Sequence, residues 1–237
     1  MVGTRFLWFI VTCLLHLPVS AQETEDHAVV NVQGLRNPEL KSYKTMLKGK
    51  AAFERFHALA PQASLQYVLL PREHGQSMDG VTLRIAGDAT SVPVDVDNEA
   101  RFALPEIPAL ADTDAELMLN RKRSSVTWRP DVRSPGVPPG FRRLGDLRLE
   151  CEVRWAVEYD DLIFVQRKAF AMLGGPCGTS LVATHFLSPR RLKAVVLHAG
   201  GKDVGVTVAK NGWSFVPPLG DKALGDDTLL ELRYDGS

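Results

Sequence analysis

A run of basic side chains between residues 121 and 143 is the clearest candidate for binding chemistry in this sequence. Seven arginines and lysines stand there against a single acid, Asp131, and one tryptophan lies among them. Such a surface attracts an anionic polymer or an acidic protein. The alternative is that these are solvated side chains on edge strands, where they deter strand-to-strand aggregation. The candidate binding surface consists of Arg121, Lys122, Arg123, Trp128, Arg129, Arg133, Arg142 and Arg143.

Two cysteines, Cys151 and Cys177, are expected to form one disulfide. The third, Cys13, lies in the apolar run at the N-terminus. An even number of cysteines in an exported chain is typical of a structural disulfide. The spacing is not Cys-x-x-Cys and no histidine is close to either residue in sequence, which disfavours a redox or zinc site.

The remaining histidines and acids match no known catalytic or metal-binding motif. The sequence contains neither His-Glu-x-x-His nor Gly-x-Ser-x-Gly, so no catalytic residue and no metal ligand is predicted. A stretch that begins at Asp95 places acids at four positions of a calcium loop, but Ala100 stands where that loop needs glycine. A solvated turn is the better interpretation, and we expect no cofactor.

The first 21 residues have the features of a secretory signal peptide. Arg5 precedes an apolar run over residues 6–17, and small residues end at Ala21. That run is shorter than the roughly 20 residues that cross a bilayer, and no later stretch is apolar enough to do so. Cleavage near Ala21 would export the chain to the periplasm or the exterior. The mature chain would carry 27 basic and 28 acidic residues, so nucleic acid is not an expected partner.

Residues 147–159, LRLECEVRWAVEY, alternate between apolar and charged side chains. Every odd position is apolar, and every even position except Ala156 is charged. A period of two places the apolar side chains on one face of a β-strand. We therefore expect a strand with one solvated face and with Cys151 on the buried face. Since this stretch exceeds the usual length of about five or six residues, we also expect a bend or a bulge in it.

In the rest of the chain, helical and β patterns predict the secondary structure and the domain boundaries. A helix over residues 39–60 is expected to kink near Gly49, or to divide there into two short helices, because its apolar stripe moves around the axis at that point. Residues 162–173 fit either a helix or a hairpin, and the helix is preferred. The predicted domains are a signal peptide (1–21), an N-terminal helical segment (22–62), a β-sandwich unit (63–133), a Pro-rich linker (134–140) and a second β-rich unit with one disulfide (141–237).

Residues 92–105, VPVDVDNEARFALP, contain a polar turn that leads into a Phe-x-Leu-Pro strand. With the short strands around it, the region 64–132 resembles the carboxypeptidase-regulatory-like and transthyretin-like β-sandwich modules of exported proteins. The resemblance implies a seven-stranded Greek-key module that has a supporting or display role and no active site of its own. The expected fold class is mainly β, with two antiparallel β-rich units of immunoglobulin- or transthyretin-like sandwich character and a short N-terminal helical segment.

These expectations favour an exported, non-enzymatic binding or scaffold module of the cell envelope. Its partner would be an envelope protein or an anionic polymer. The alternative is a hydrolase or transferase that acts on carbohydrate or peptide in a cleft between the two β units, with His185 beside Glu158 or Asp161. A cleft that brings these side chains together would favour the enzyme.

Overall fold

The computed structural model describes residues 36–236. The predicted signal peptide, residues 1–21, lies outside the described residues. The protein is mainly β, with 33% strand against 23% helix, and its strands form several antiparallel sheets with a curled half-barrel among them. The mainly-β prediction is confirmed, whereas a sandwich is not.

Short alternating runs of apolar residues form most elements between residues 36 and 133, as the sequence predicts. In β2, β3 and β6 buried side chains recur at every second position, which is why a period of two is visible in the sequence. Single turns of 3-10 helix lie at His57–Leu59 and Pro108–Leu110. The regular elements are β1 (Pro38–Ser42), α1 (Tyr43–Arg55), β2 (Ser64–Pro71), β3 (Leu83–Ala86), β4 (Ser91–Val94), β5 (Arg101–Phe102), β6 (Glu116–Lys122) and β7 (Val126–Arg133).

These strands form two antiparallel sheets, one with the order β1–β6–β3–β4 and one with the order β5–β2–β7. Alternation along β7 gives the second sheet two different faces. Val126, Trp128 and Val132 pack on hydrophobic cores, whereas Arg129 and Asp131 line a cleft on the other side. Because neighbours on a strand point in opposite directions, burial of the apolar row fixes the position of the charged row.

The N-terminal part of the predicted helix is wrong, because strand β1 precedes α1. The helical segment is therefore not N-terminal. Pairing of β1 with β6 withdraws residues 38–42 from the helix. Ser42 then caps α1, since its hydroxyl accepts a hydrogen bond from the backbone N of Thr45 at 3.3 Å.

The predicted division into two short helices is wrong, because α1 continues without interruption through Gly49, whereas the kink stays a prediction. A Cβ added at Gly49 would lie 2.5 Å from the hydroxyl oxygen of Tyr67. Gly49 thus allows a close contact between elements. The apolar stripe moves because Met46 lies in one hydrophobic core while Phe56, after the helix, packs against another.

The second half of the chain contains one six-stranded antiparallel sheet and two helices. The sheet has the strand order β8–β13–β10–β11–β12–β9. Residues 162–173, which fitted helix or hairpin, contain helix α3. None of the helices within residues 36–236 is both long and apolar enough to cross a lipid bilayer. The elements are β8 (Phe141–Arg143), α2 (Leu144–Glu158), α3 (Phe164–Met172), β9 (Phe186–Leu187), β10 (Leu192–Ala199), β11 (Lys202–Val208), β12 (Ser214–Val216) and β13 (Leu229–Tyr234).

The strand predicted over residues 147–159 is wrong, because this stretch belongs to helix α2. Its apolar residues form two rows in which successive members are four positions apart, so each row lies along one side of a helix. Since the second row starts two positions after the first, the two rows together reproduce the alternation of a strand. One row is Leu147, Cys151 and Trp155, and the other is Leu149, Val153 and Val157.

The two rows of α2 pack against different hydrophobic cores. Leu147 and Cys151 lie in the core of the six-stranded sheet, whereas Val153 and Val157 lie in the core of the first half of the chain. A helix that is apolar on two sides is enclosed on both, so charged residues between the rows are enclosed as well. Glu150, for example, is only 8% exposed.

The predicted disulfide between Cys151 and Cys177 is confirmed. The two Cα atoms lie 5.7 Å apart, and the bond joins α2 to the segment that follows α3. Both residues are buried in the core of the six-stranded sheet. The bond therefore closes a loop that contains the whole of α3.

The Pro-rich segment at residues 134–140 connects β7 to β8. Gly136 and Gly140 adopt φ angles of 77° and 82° there, which turn the chain in a way that L-residues rarely do. Helix α2, beyond this segment, contributes to cores on both sides of it, and residues 36–236 belong to one compact unit. The division into separate domains at this segment stays a prediction.

Gly49→Ala is expected to lower the free energy of unfolding by about 1–3 kcal/mol through overpacking. The added methyl carbon would lie 2.5 Å from the Tyr67 hydroxyl and 2.6 Å from Val157 Cγ2. Urea unfolding measures the change. Gly205→Ala in β11 is the control, because a Cβ there meets nothing within 4 Å. Equal losses in both variants would contradict the contact at Gly49.

Removing the disulfide by Cys151→Ala/Cys177→Ala is expected to lower stability by about 3–4 kcal/mol in the chain-entropy model of loop closure. The expectation follows from the separation of 26 residues between the two cysteines. Guanidinium unfolding with and without reductant is the measurement. Reductant should destabilise the wild type and leave the double variant unaffected. A wild type indifferent to full reduction would rule out this contribution.

Candidate anion-binding cleft

A cleft of about 580 Å³ lies between the β5–β2–β7 sheet and strands β8, β9, β12 and β13. Helix α2 contributes a third wall through Glu150 and Arg154. The size is within the range of roughly 300–1,000 Å³ that is usual for ligand sites. We call it the arginine cleft after its charged lining residues, which are Arg101, Arg129, Arg133, Arg142, Arg154 and Arg190 with Glu99, Asp131 and Glu150.

Strand alternation explains why charged side chains reach this cleft. Tyr67 and Leu69 of β2 are buried in the core, so Val68 between them points to the opposite side. In the sheet register Val68 pairs with Arg101 on one neighbouring strand and with Arg129 on the other. The register thus places one arginine on each side of Val68 in the cleft wall.

Asp131 is shared by three of the arginines. Its carboxylate accepts hydrogen bonds from Nε of Arg101 at 2.7 Å and from Nε of Arg133 at 2.8 Å. Nη1 of Arg142 lies 3.8 Å away. Burial alone would raise the pKa of Asp131, but the charges of these arginines outweigh it and lower the pKa. One buried carboxylate therefore orients three guanidinium groups.

Arg142 and Glu150 form a buried ion pair that joins β8 to α2. Nη2 of Arg142 donates to Glu150 Oε2 at 2.7 Å and to the carbonyl oxygen of Val132 at 3.2 Å. The same Glu150 oxygen accepts from the Val132 backbone N at 3.2 Å. Burial, supported by the charge of Asp131, raises the pKa of Glu150, and Arg142 opposes that rise without cancelling it. The helix is thereby joined to the edge of strand β7.

A second group of ion pairs lies one to two turns further along α2. Glu158 accepts hydrogen bonds from Nη1 of Arg129 at 2.8 Å and from Nε of Arg154 at 3.0 Å. Arg154 also donates through Nη1 to the carbonyl oxygen of His185 at 2.8 Å. Burial and the nearby charge of Arg154 lower the pKa of Arg129 to about 10, so the residue stays charged at neutral pH. Both arginines are held in fixed positions.

Arg190 and the ring of Tyr234 lie together in the lining of the cleft, with the buried rings of Phe186 and Phe215 in the same lining. The guanidinium carbon of Arg190 lies 4.5 Å from the centre of the Tyr234 ring, and Arg190 is exposed. The rings of Phe186 and Phe215 are 5.9 Å apart between their centres. A cation–π contact restrains a guanidinium group without occupying its hydrogen-bond donors. Arg190 is thus positioned and still able to donate to a ligand.

Positive charge exceeds negative charge in this cleft, and Arg133 shows the effect. Burial and the neighbouring Arg142 lower the pKa of Arg133, although Asp131 acts in the opposite direction. An added anion would relieve this repulsion. The side chain of Arg133 is 45% exposed, and among the described residues its guanidinium donates only through Nε. Both terminal nitrogens therefore remain for a carboxylate or phosphate.

The structure brings together only some of the residues of the predicted basic surface. Arg129, Arg133 and Arg142 line the cleft. Arg121 lies near the end of β6, where its Nη2 donates to the carbonyl oxygen of Asp79 at 2.6 Å. Lys122 and Arg123 follow it at the turn into β7.

Two further residues of that surface have structural contacts outside the cleft. Trp128 is on the core side of β7, and its Nε1 donates to Glu39 Oε1 at 3.3 Å. Arg143 donates through Nη2 to Asp227 Oδ1 at 2.5 Å. Neither lines the arginine cleft.

In the described part of the chain the side chain of His185 makes no hydrogen bond to Glu158 or Asp161, the two acids suggested for an enzyme. His185 lines the cleft, and its Nδ1 lies 3.3 Å from Ser214 Oγ. Glu158 is occupied by two arginines, and Asp161 accepts from Lys41 Nζ at 3.3 Å. Within residues 36–236 no group of three or more His, Cys, Asp or Glu side chains is placed to hold a metal ion.

Three lining arginines were missed by the sequence reasoning, namely Arg101, Arg154 and Arg190. Strand pairing brings Arg101 to the site and helical folding of α2 brings Arg154, and neither is visible as a local charge cluster. One available signal was the spacing of Arg129, Asp131 and Arg133, which puts them on one face of a strand.

Asp131→Asn is expected to lower the free energy of unfolding at neutral pH by about 3 kcal/mol, because buried arginines lose their shared anion. The folded pKa of Asp131 is lower than the unfolded value. Its contribution is therefore complete above the unfolded pKa of about 4 and is lost as the pH falls through the folded pKa. Urea unfolding at neutral pH and near pH 3 should show the gap between wild type and variant shrinking in acid.

Glu150→Gln is the matched control for that measurement. The raised pKa of Glu150 means that its ionised form is disfavoured in the folded state, so its contribution to stability falls as the pH rises. The amide retains an oxygen that accepts from the Val132 backbone N. The neutral-pH loss should be smaller than for Asp131→Asn, and the reverse order would show that Asp131 is not the central anion.

The geometry of the cleft is the main guide to its function. The resemblance of residues 64–132 to transthyretin-like modules stays a prediction. Searches against protein-family models, curated proteins and solved structures returned no match to this chain.

Proposed function

We propose that the protein is an exported, non-enzymatic binding module that holds an anionic polymer of the cell envelope in the arginine cleft. The observation that carries this proposal is the convergence of six arginines on one cleft with three acids. The acids fix the guanidinium groups but do not neutralise them all. An anionic segment would supply the missing negative charge.

The arginines are held before any ligand arrives, and this lowers the cost of binding. Asp131 holds Arg101 and Arg133, and Glu158 holds Arg129 and Arg154. Side chains that are already ordered lose little conformational freedom when they bind. A planar guanidinium fork also matches the two oxygens of a carboxylate or phosphate.

The shape of the cleft supports a polymer with apolar as well as charged parts. Leu232 and Tyr234 are only half-buried in the lining of the cleft, so a sugar ring or a carbon backbone has a small apolar surface to contact. The Cys151–Cys177 disulfide supports an oxidising compartment, as the predicted signal peptide does. Both are consistent with a role in the envelope.

The test is calorimetric titration of the chain from residue 22 onward with oligogalacturonate and, separately, with inorganic polyphosphate of similar length. We expect binding at low salt that weakens as salt is added. Arg133→Gln/Arg190→Gln should weaken it by at least about tenfold, because each change removes a charged donor that faces the cleft. The two probes distinguish a preference for carboxylate from one for phosphate.

Arg121→Gln/Arg123→Gln is the matched control, since it removes the same net charge outside the cleft. Its affinity should stay within about threefold of the wild type, as expected for distant surface charges. Equal weakening by both double variants would show that binding follows net charge and not the cleft. Failure of both polyanions to bind at low salt would overturn the proposal.

A further inference from the structure

Helix α3 has an apolar face turned towards solvent. Phe164, Lys168 and Met172 are spaced by four residues and share one face of the helix. Phe164 is 67% exposed, Met172 is 84% exposed and the adjacent Val165 is 70% exposed. Ile163, immediately before the helix, is 64% exposed. A contiguous exposed apolar group of this kind marks a binding surface.

The opposite side of α3 is anchored to the protein. The ring of Phe170 lies 5.1 Å from that of Trp155 on α2, centre to centre. The Arg167 guanidinium carbon lies 5.6 Å from the centre of the Tyr159 ring. After the helix, Cys177 is tied to α2 by the disulfide. The exposed face is therefore presented by a formed and fixed helix.

The charge around α3 favours an anionic surface as its partner. Lys168 Nζ lies 5.4 Å from the centre of the Phe164 ring, so its chain runs along the apolar face and its charge lies at the margin. Residues 162–202 contain no Asp and no Glu. Asp160 and Asp161, which come just before the helix, are paired with Lys48 and Lys41, so Arg167 and Lys168 leave α3 with a net positive charge.

We infer that α3 anchors the protein to the surface of a lipid bilayer with anionic headgroups. Ile163, Phe164, Val165 and Met172 enter the boundary between headgroups and acyl chains, and Lys168 meets the anionic headgroups. A nine-residue helix spans only about 14 Å, so it lies along the surface. Residues of α3 do not line the arginine cleft, so this inference is independent of the proposed function.

The experiment is co-sedimentation of the chain from residue 22 onward with vesicles. One set is phosphatidylcholine alone, and the other contains about 30% phosphatidylglycerol to supply anionic headgroups. We expect sedimentation with the anionic vesicles, and at least about tenfold weaker partitioning for Phe164→Gln/Met172→Gln. Lys168→Glu should weaken binding to anionic vesicles only. Binding of oligogalacturonate or polyphosphate should be unchanged by all three substitutions.

Val204→Gln is the matched control, because Val204 is also an exposed apolar residue, at 51%, but lies on β11. It should sediment like the wild type, and circular dichroism checks that every variant is folded. Equal sedimentation of the α3 double variant and the wild type would overturn the inference. So would a lipid-free wild type that elutes as a dimer while the double variant elutes as a monomer, because a second copy would then cover this face.

Discussion

Burial of helix α2 on two opposite sides is the constraint on which the rest of the structure depends. Val153 and Val157 complete the core of the first half of the chain, and Leu147 and Cys151 complete that of the second. With both apolar rows enclosed, the remaining face of the helix meets β7 and β8 through charged residues. The arginine cleft, the buried Arg142–Glu150 pair and the anchoring of α3 all follow from this position of α2.

The sequence predicts elements well where one face is buried and the other is solvated. Strand β3 is an example, because Leu83 and Ile85 are buried and Arg84 between them is only partly buried. Residues 147–159 mislead for the same reason, since two helical rows offset by two positions produce that alternation as well. The length of the stretch was the available warning, because about five or six residues are usual for a strand and helices are longer.

The candidate site was only partly readable from the sequence. Arg129 and Arg133 belong to a visible basic run, and alternation along β7 puts them on one face with Asp131. Arg101 and Arg190 reach the same cleft only through sheet pairing and through packing of the second half of the chain, which no local pattern records. Conversely, Trp128 and Arg143 stand in the basic run but are held by Glu39 and Asp227.

The two rows of α2 also bear on how the protein folds. A helix whose two opposite sides belong to different cores transmits the loss of one core to the other, because neither row can leave its partner without moving the same backbone. We therefore expect the two halves of the chain to unfold in a single cooperative transition, since an intermediate with only one half folded would expose one of these apolar rows to water. The Pro-rich segment between β7 and β8 thus connects two parts of the chain whose cores share helix α2.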